Sequence, residues 1–410
     1  MDGMKRCPHL FTLLVFLLHS FATLAQEQPN VPTPPPETLP VTQPAVEITQ
    51  DSAILEGYWE DAGGSPSTVY FKIRERVPDM EETWWIIADT HIGSFRPGEE
   101  NALENLRKAI ADVNKLGISQ KAIVLGDLVH DRPEFVGDFV STMDQLNHEW
   151  TYALGNHDFD RRRTEARVMD PVWFQLDVGG IRIIALSDEG RWVLSRKGRT
   201  VTASVQEGYQ RETNLSEEQN NWFREALDRD PDKPTILWSH QGLRRAFERA
   251  DDDGPCYWDP KRRGWLQENW NRYNIMMWVR GHRHPWELEE DYQGLGFVDV
   301  SPGALASDSG GGIFMIMSHK GDSTSVVLRF RSHLEQTWIS VKDYEQYEMT
   351  IAHPWLETTH DPVESPGAFR AAIGGLQPEK TYEYKAVVES KGEISIGEVE
   401  TFTTASAPDS

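Results

Sequence analysis

Apolar and polar positions recur with two different periods along this 410-residue chain, and the change of period divides it into three stretches. Near the N-terminus, Ala53–Trp59 and Thr68–Ile73 alternate as half-buried strands, and the Asp61-Ala-Gly-Gly-Ser65 turn between them predicts a hairpin. The C-terminal stretch repeats the theme at Phe369–Ile373, Thr381–Val388 and Val399–Thr403. In the middle the period becomes helical. Ala102, Leu103, Leu106, Ile110 and Val113 share one face, as do Phe135, Val136, Phe139, Val140 and Met143. Ser216 with Gln219 predicts a capping box for a third helix, which carries Trp222, Phe223 and Leu227. Short apolar runs lie between these helices. The middle is therefore expected to be an α/β domain with β-rich segments at both ends.

The apolar runs of the middle stretch all end alike. Trp84–Ala88 runs into Asp89-Thr90-His91, Ala122–Leu125 into Gly126-Asp127, and Trp150–Leu154 into Gly155-Asn156-His157-Asp158. Thr235–Trp238 runs into Ser239-His240, and Ile275–Val279 into Arg280-Gly281-His282-Arg283-His284. The carboxyl edge of an open α/β sheet is where loops converge over a rigid base and build sites. Taken singly, each motif is an ordinary loop feature; taken together and in order, they place seven metal-ligand side chains at strand ends. These are Asp89, His91, Asp127, Asn156, His240, His282 and His284. The mixture of imidazole nitrogen and hard oxygen suits zinc, manganese or iron better than calcium or magnesium.

Charge narrows the partners. The chain carries 65 acidic against 41 basic residues, a net charge of −24, which repels polyanions and argues against a nucleic-acid partner. Bound cations would let such a chain still take a small phosphate ester. Lys5 and Arg6 precede an apolar run from Leu10 to Leu18, with small residues near Ala25, so residues 1–25 are expected to be a signal peptide. An uncleaved anchor is the alternative. Cleavage would remove a net +1, leaving −25, and would leave Cys256 without Cys7, so the mature chain would have no internal disulfide. No membrane span is expected in the mature chain, and the protein is expected to be secreted or periplasmic. Residues 26–44 read as a proline-rich, extended tether.

In order, Asp-x-His, Gly-Asp, Gly-Asn-His-Asp, an isolated His and Gly-His-x-His resemble the calcineurin-like metallophosphoesterases, over about Trp84–Gly303. The resemblance implies two packed mixed sheets flanked by helices, a domain over residues 83–332, and two divalent or trivalent ions (Mn, Fe or Zn) sharing one carboxylate. It implies that Asp89, His91, Asp127 and His284 hold one ion. Asp127, Asn156, His240 and His282 would hold the other, with Asp127 as the bridge. His157 resembles an outer-sphere general acid, positioned by Asp158. The implied activity is hydrolysis of phosphomono- or diesters, with a small phosphoester as substrate. The chain departs from the family where Asp-Arg usually follows Gly-Asp. His130-Asp131 stands there, leaving Arg132 or Arg283 as substitutes for an arginine that can touch phosphate. Gly-Asp-x-x-His also resembles the DNA-repair exonuclease branch, so a nuclease is one alternative. A secreted binding protein with an inactive enzyme domain is another. The tyrosine ligand that purple acid phosphatases carry after the Gly-Asp pair is absent.

The flanks resemble a fibronectin type III domain, each like half of one. The Ile54-Leu-Glu-Gly57 pattern is similar to the opening strands. Gly374-Gly-Leu-Gln-Pro378, Thr381-Tyr-Glu-Tyr384 and Glu400–Thr404 are similar to the closing ones. Residues 45–77 and 345–405 are therefore expected to form one split all-β sandwich, with the phosphoesterase inserted into a loop; two independent partial β extensions are the alternative. Such a sandwich offers a surface for extracellular matrix or cell-surface contact.

Overall fold

The computed structural model describes residues 39–60, 66–160, 163–187, 192–194, 200–202, 215–241, 269–308 and 310–407. The expected signal peptide, most of the proline-rich segment, the 61–65 turn, both cysteines and most of residues 188–214 lie outside them. Among the described residues no helix is long and apolar enough to cross a membrane.

Two mixed sheets make the central body. The first runs in the order Thr337–Ile339, Ser323–Ser332, Gly311–Lys320, Met80–Ile87, Lys121–Leu125, Glu149–Ala153, with the last three parallel. The second runs Trp286–Glu289, Val298–Pro302, Ile275–Arg280, Thr235–Ser239, Ile181–Ala185, Phe174–Val178, with its four inner strands parallel. Their central strands are largely apolar because both faces are covered. Trp84, Ile86 and Leu125 face Ile236, Trp238, Met277 and Val279 across the gap between the sheets. There the Trp84 and Trp238 rings meet edge to face at 4.9 Å. The alternate residues Trp85, Ile87 and Val124 point the other way, onto Leu106 and Ile110 of α1 (Ala102–Leu116) and Phe139 of α2 (Val136–Met143). On the far side, Phe223 and Leu227 of α3 (Glu217–Asp228) cover Leu237 and Trp278. Ser216 caps α3 by accepting the Gln219 amide at 3.1 Å. The Gln219 side chain also serves the sheet. It pairs twice with the Ser187 backbone, tying the helix to the sheet.

The strands near the two ends of the chain pair with each other. Val41–Val46, Ser52–Trp59 and Gly367–Gly374 form one sheet. Ser67–Glu75 and Thr381–Ser390 form the centre of another, with Leu356–Glu357, Asp361–Val363, Glu393–Ile396 and Glu400–Thr403 alongside. Leu55, Phe71, Phe369 and Tyr384 fill the space between. Gly57 is needed here, because a Cβ would come within 2.7 Å of the Phe369 ring that lies over it. The expected hairpin is not formed. Ser52–Trp59 and Ser67–Glu75 lie in different sheets, with their apolar faces turned toward each other and their edges paired to C-terminal strands.

Two boundaries also shift. Val41–Pro44, expected in the tether, start a strand, and the Thr42 hydroxyl accepts the Ala386 amide at 3.0 Å and donates to the Glu398 carbonyl. Tyr347–Ala352, expected in the β-rich flank, pairs with Ser323–Ser332, because Tyr347 and Ile351 alternate into the core between the two central sheets. Four charges join the β-rich region to the body. Lys380 lies 3.0 Å from Glu75 and 3.1 Å from Asp177, and Lys233 lies 3.7 and 3.2 Å from the same two carboxylates.

Deleting residues 375–410 removes the strand against which Ser67–Glu75 is registered, leaving its edge unpaired and Phe71 uncovered. Limited proteolysis of the truncated protein is expected to cut within residues 41–75. Protection equal to that of the full chain would show that the two ends are independent.

Candidate metal centre

Seven side chains meet where the carboxyl ends of the parallel strands in both sheets approach one another. Strand direction alone does not aim them; the backbone turns sharply first. Asp89, His91, Asp127, His282 and His284 have φ of 55°, 43°, 53°, 72° and 66°, all left-handed. Asp and His tolerate this region better than most residues, yet each such turn costs about 1–3 kcal/mol and persists only where its surroundings enforce it. Here the loops hold one another. The Asp89 amide donates to the Gly126 carbonyl at 3.0 Å and the His91 amide to the Asp127 carbonyl at 2.8 Å. The His282 amide donates to the Asp89 carboxylate at 2.9 Å.

The donor atoms fall into two groups. In one, His91 Nε2 lies 3.2 Å from His284 Nε2 and 3.8 Å from Asp89 Oδ1, and the latter two are 3.7 Å apart. In the other, Asp127, His240 and His282 converge, and His240 Nε2 is 3.2 Å from Asn156 Oδ1. Asp127 Oδ2 stands between the groups, 3.5 Å from His91 Nε2 and 3.1 Å from His240 Nε2. Separations of this size are the edges of a coordination polyhedron whose bonds are about 2.0–2.2 Å long.

Three further observations show that these residues fit metal ions. His240 Nδ1 donates to the Leu125 carbonyl at 2.8 Å, which turns the Nε2 lone pair inward, as metal-binding histidines require. His284 Nδ1 faces the buried Glu99 carboxylate at 3.7 Å. Glycines leave the room. A Cβ on Gly155 would stand 2.5 Å from Asp127 Oδ1, and one on Gly126 2.5 Å from the His240 ring. Burial would penalise any charge here. It raises the Asp89 carboxyl to about 6, with the Asp127 charge adding to it and His240 opposing. Burial likewise drives His91 well below its usual range. Burial also opposes the Asp127 charge, but His240, His157 and His91 around it prevail, and its carboxyl stays well below the carboxylate range.

His157 is set apart from the two groups. Its amide donates to Asp127 Oδ1 at 2.7 Å, while its ring turns outward and Nδ1 pairs with Asp131 Oδ1 at 3.0 Å. Asp158 was expected to position this ring and does not. It points inward, accepting the Val129 and Gly155 amides at 3.0 and 2.8 Å, and so stitches two loops together. Burial and the Asp127 charge raise its carboxyl well above the usual range. The orienting carboxylate therefore comes from the very position where the chain departs from the family pattern. His130, beside it, meets His91 Nδ1 at 2.9 Å and stacks on His157 at 4.3 Å. Sequence reading missed the positions of Asp131, His130 and Glu99. The first two carried a signal, as the His-Asp pair breaking the motif; Glu99 carried none.

Residues 83–286 match the family model for calcineurin-like phosphoesterases, a span that contains all seven clustered side chains and His157. No curated protein matches the chain. Among solved structures, a dimetal phosphatase from Danio rerio is similar at 14% identity and TM-score 0.41, over 67% of this chain and 99% of its own. A purple acid phosphatase from yellow lupin (Lupinus luteus) seeds is similar at 13% identity and TM-score 0.43, over 76% of this chain and 74% of its own.

Asp127→Asn is expected to remove at least one metal ion and the activity while leaving the melting profile folded, because an amide cannot neutralise two cations held close together. Metal analysis of the purified variant checks this; two ions per chain with normal turnover would exclude Asp127 from the bridge.

Proposed function

We propose that this chain, a hydrolase of phosphoester bonds whose residues 83–286 form a calcineurin-like phosphoesterase domain, works with two metal ions bridged by Asp127. The observation that carries the reading is Asp127 Oδ2, within 3.5 Å of donor nitrogens from both groups. Asp89, His91 and His284 would complete one ion's ligands, and Asn156, His240 and His282 the other's. Ions of the zinc, manganese or iron type held there would supply Lewis acidity to the phosphoryl oxygens and lower the pKa of a bound water toward neutrality.

The chain's own groups do the rest. The left-handed turns and interlocked amides fix the ligand atoms before substrate arrives, so little reorganisation is left to be done during reaction. Asp131 holds the His157 ring by Nδ1 and balances its charge when both nitrogens are protonated, which leaves Nε2 to give a proton to the departing oxygen. Asp158 keeps the Gly155–Asp158 turn against Val129, and with it the backbone on which Asn156 and His157 stand. Both mono- and diesters suit this chemistry.

Export is part of the proposal and rests on the basic, then apolar, then small-residue pattern of residues 1–25. The β-rich region is assigned to one fibronectin type III-like sandwich split by the enzyme domain, on its sequence pattern and the pairing of strands from both ends. Its exposed face is the candidate for extracellular contact.

His157→Ala is expected to keep both ions and to slow alkyl phosphoester hydrolysis by about 10²–10⁴-fold, with a much smaller loss for an activated aryl ester. Asp131→Asn should follow the same leaving-group pattern more weakly. His240→Ala should lose metal and hurt both esters alike. Equal losses for the two esters in His157→Ala, accompanied by metal loss, would make His157 a ligand rather than the acid.

A further inference from the structure

The loop after the first ligand pair is built firmly and ends in open water. The Ser94 amide donates to the His91 carbonyl at 3.0 Å, and the Ser94 hydroxyl donates to the buried Glu99 carboxylate at 2.5 Å. The Arg96 amide donates to that same hydroxyl at 3.2 Å, and the Glu99 amide returns to the Arg96 carbonyl at 3.0 Å. A loop fixed in this way could tuck its apolar side chain inward. Instead Phe95 is 75% exposed, the most exposed large hydrophobic among the described residues. One face of its ring lies against the Arg132 guanidinium at 4.6 Å, which is itself clasped from behind by Phe135 at 4.4 Å. The other face is left to solvent.

Next to it, Arg96 Nη2 lies 3.3 Å from His157 Nε2, the atom that would deliver the proton. A leaving oxygen must come within hydrogen-bond reach of that nitrogen. A guanidinium at the same nitrogen is therefore within reach of the phosphoryl group that carries the oxygen. Arg96 is able to change partners, since its side chain is 46% exposed and its ion pair with Glu99 is long, at 3.9 Å. Arg132 is held between two aromatic rings, by Glu134 at 2.9 Å and by the Gly93 carbonyl at 3.3 Å. Arg283 faces Glu287 at 3.7 Å. Both arginines expected from the sequence have a carboxylate of their own, Glu134 for Arg132 and Glu287 for Arg283.

We propose that the Phe95-Arg96 pair is the substrate-recognition element beside this site: Arg96 binds a phosphoryl oxygen, and Phe95 stacks on a planar aromatic leaving group. This rests on the two-metal phosphoesterase reading above. The guanidinium supplies a charge-assisted, two-pronged contact to an anion beside His157. Phe95 supplies a flat apolar face whose hydration is lost on stacking. The preferred substrates are therefore aryl or nucleoside phosphates rather than alkyl ones such as glycerol phosphate.

The test uses the full chain loaded with metal. Inhibition by inorganic phosphate, and kcat/KM for p-nitrophenyl phosphate, a nucleoside monophosphate and glycerol phosphate, are measured for the wild type and four variants. Arg96→Ala is expected to weaken phosphate inhibition by about 10- to 100-fold with metal content intact, and Arg96→Lys to recover part of it. Arg132→Ala should leave phosphate inhibition within a few-fold of the wild type. Phe95→Ala should lower kcat/KM by about tenfold for at least one aromatic substrate while sparing glycerol phosphate. Unchanged phosphate inhibition in Arg96→Ala would overturn the arginine assignment, and equal losses on all three esters in Phe95→Ala would overturn the stacking. If the metal-loaded wild type hydrolyses none of these monoesters, the monoesterase reading fails. Calorimetric titration with inorganic phosphate then still decides whether Arg96 holds the anion.

Discussion

A carboxylate sealed between two sheets is the constraint on which the rest of this structure depends. Asp127 is 1% exposed, and burial penalises its charge heavily unless positive groups surround it. The chain meets that demand by bringing histidines from four separate loops to one point, which requires the carboxyl edges of two sheets to face one another. Packing between the sheets, where Trp84 meets Trp238, therefore sets the site as much as the ligands do. Gly126 and Gly155 follow from the same demand, since a single methyl group at either place would strike Asp127 or His240. So do the left-handed turns at Asp89, His91, Asp127, His282 and His284, whose strain is held by amide bonds from one loop to the next.

Much of this arrangement is legible in the amino-acid sequence, and the reason is physical. Apolar strands covered on both faces are forced into unbroken hydrophobic runs, and a metal centre forces polar ligands to follow those runs immediately. The pattern therefore marks strand, edge and clustered polar side chain together. Helix faces at Leu106 and Phe139 were equally plain, because their periodicity is set by one covered side. What the pattern does not encode is pairing between distant segments. Ser52–Trp59 and Ser67–Glu75 read as a hairpin because a turn-forming stretch lies between them. Their partners stand some 300 residues away, and only the matching apolar faces of Leu55, Phe71 and Tyr384 decide the arrangement. Asp158 misled for a related reason. It adjoins His157 in sequence, but the turn at Gly155 sends the two side chains in opposite directions, and Asp131 on another loop reaches the ring.

The site and the β-rich region are linked by the same economy of charge. At the centre, imidazoles and carboxylates balance across loops; at the junction, Glu75 and Asp177 alternate with Lys233 and Lys380 across the two regions. The four junction charges thus cancel in place, and Arg96 adds positive charge beside His157.

The central claim is that Asp127 bridges two ions, and anomalous diffraction from crystals of the zinc- or manganese-loaded protein tests it most directly. Two peaks per chain, about 3.5–4 Å apart and sharing an Asp127 oxygen, are the result this account requires. A single peak, or two peaks with Asp127 bound to only one of them, would contradict it.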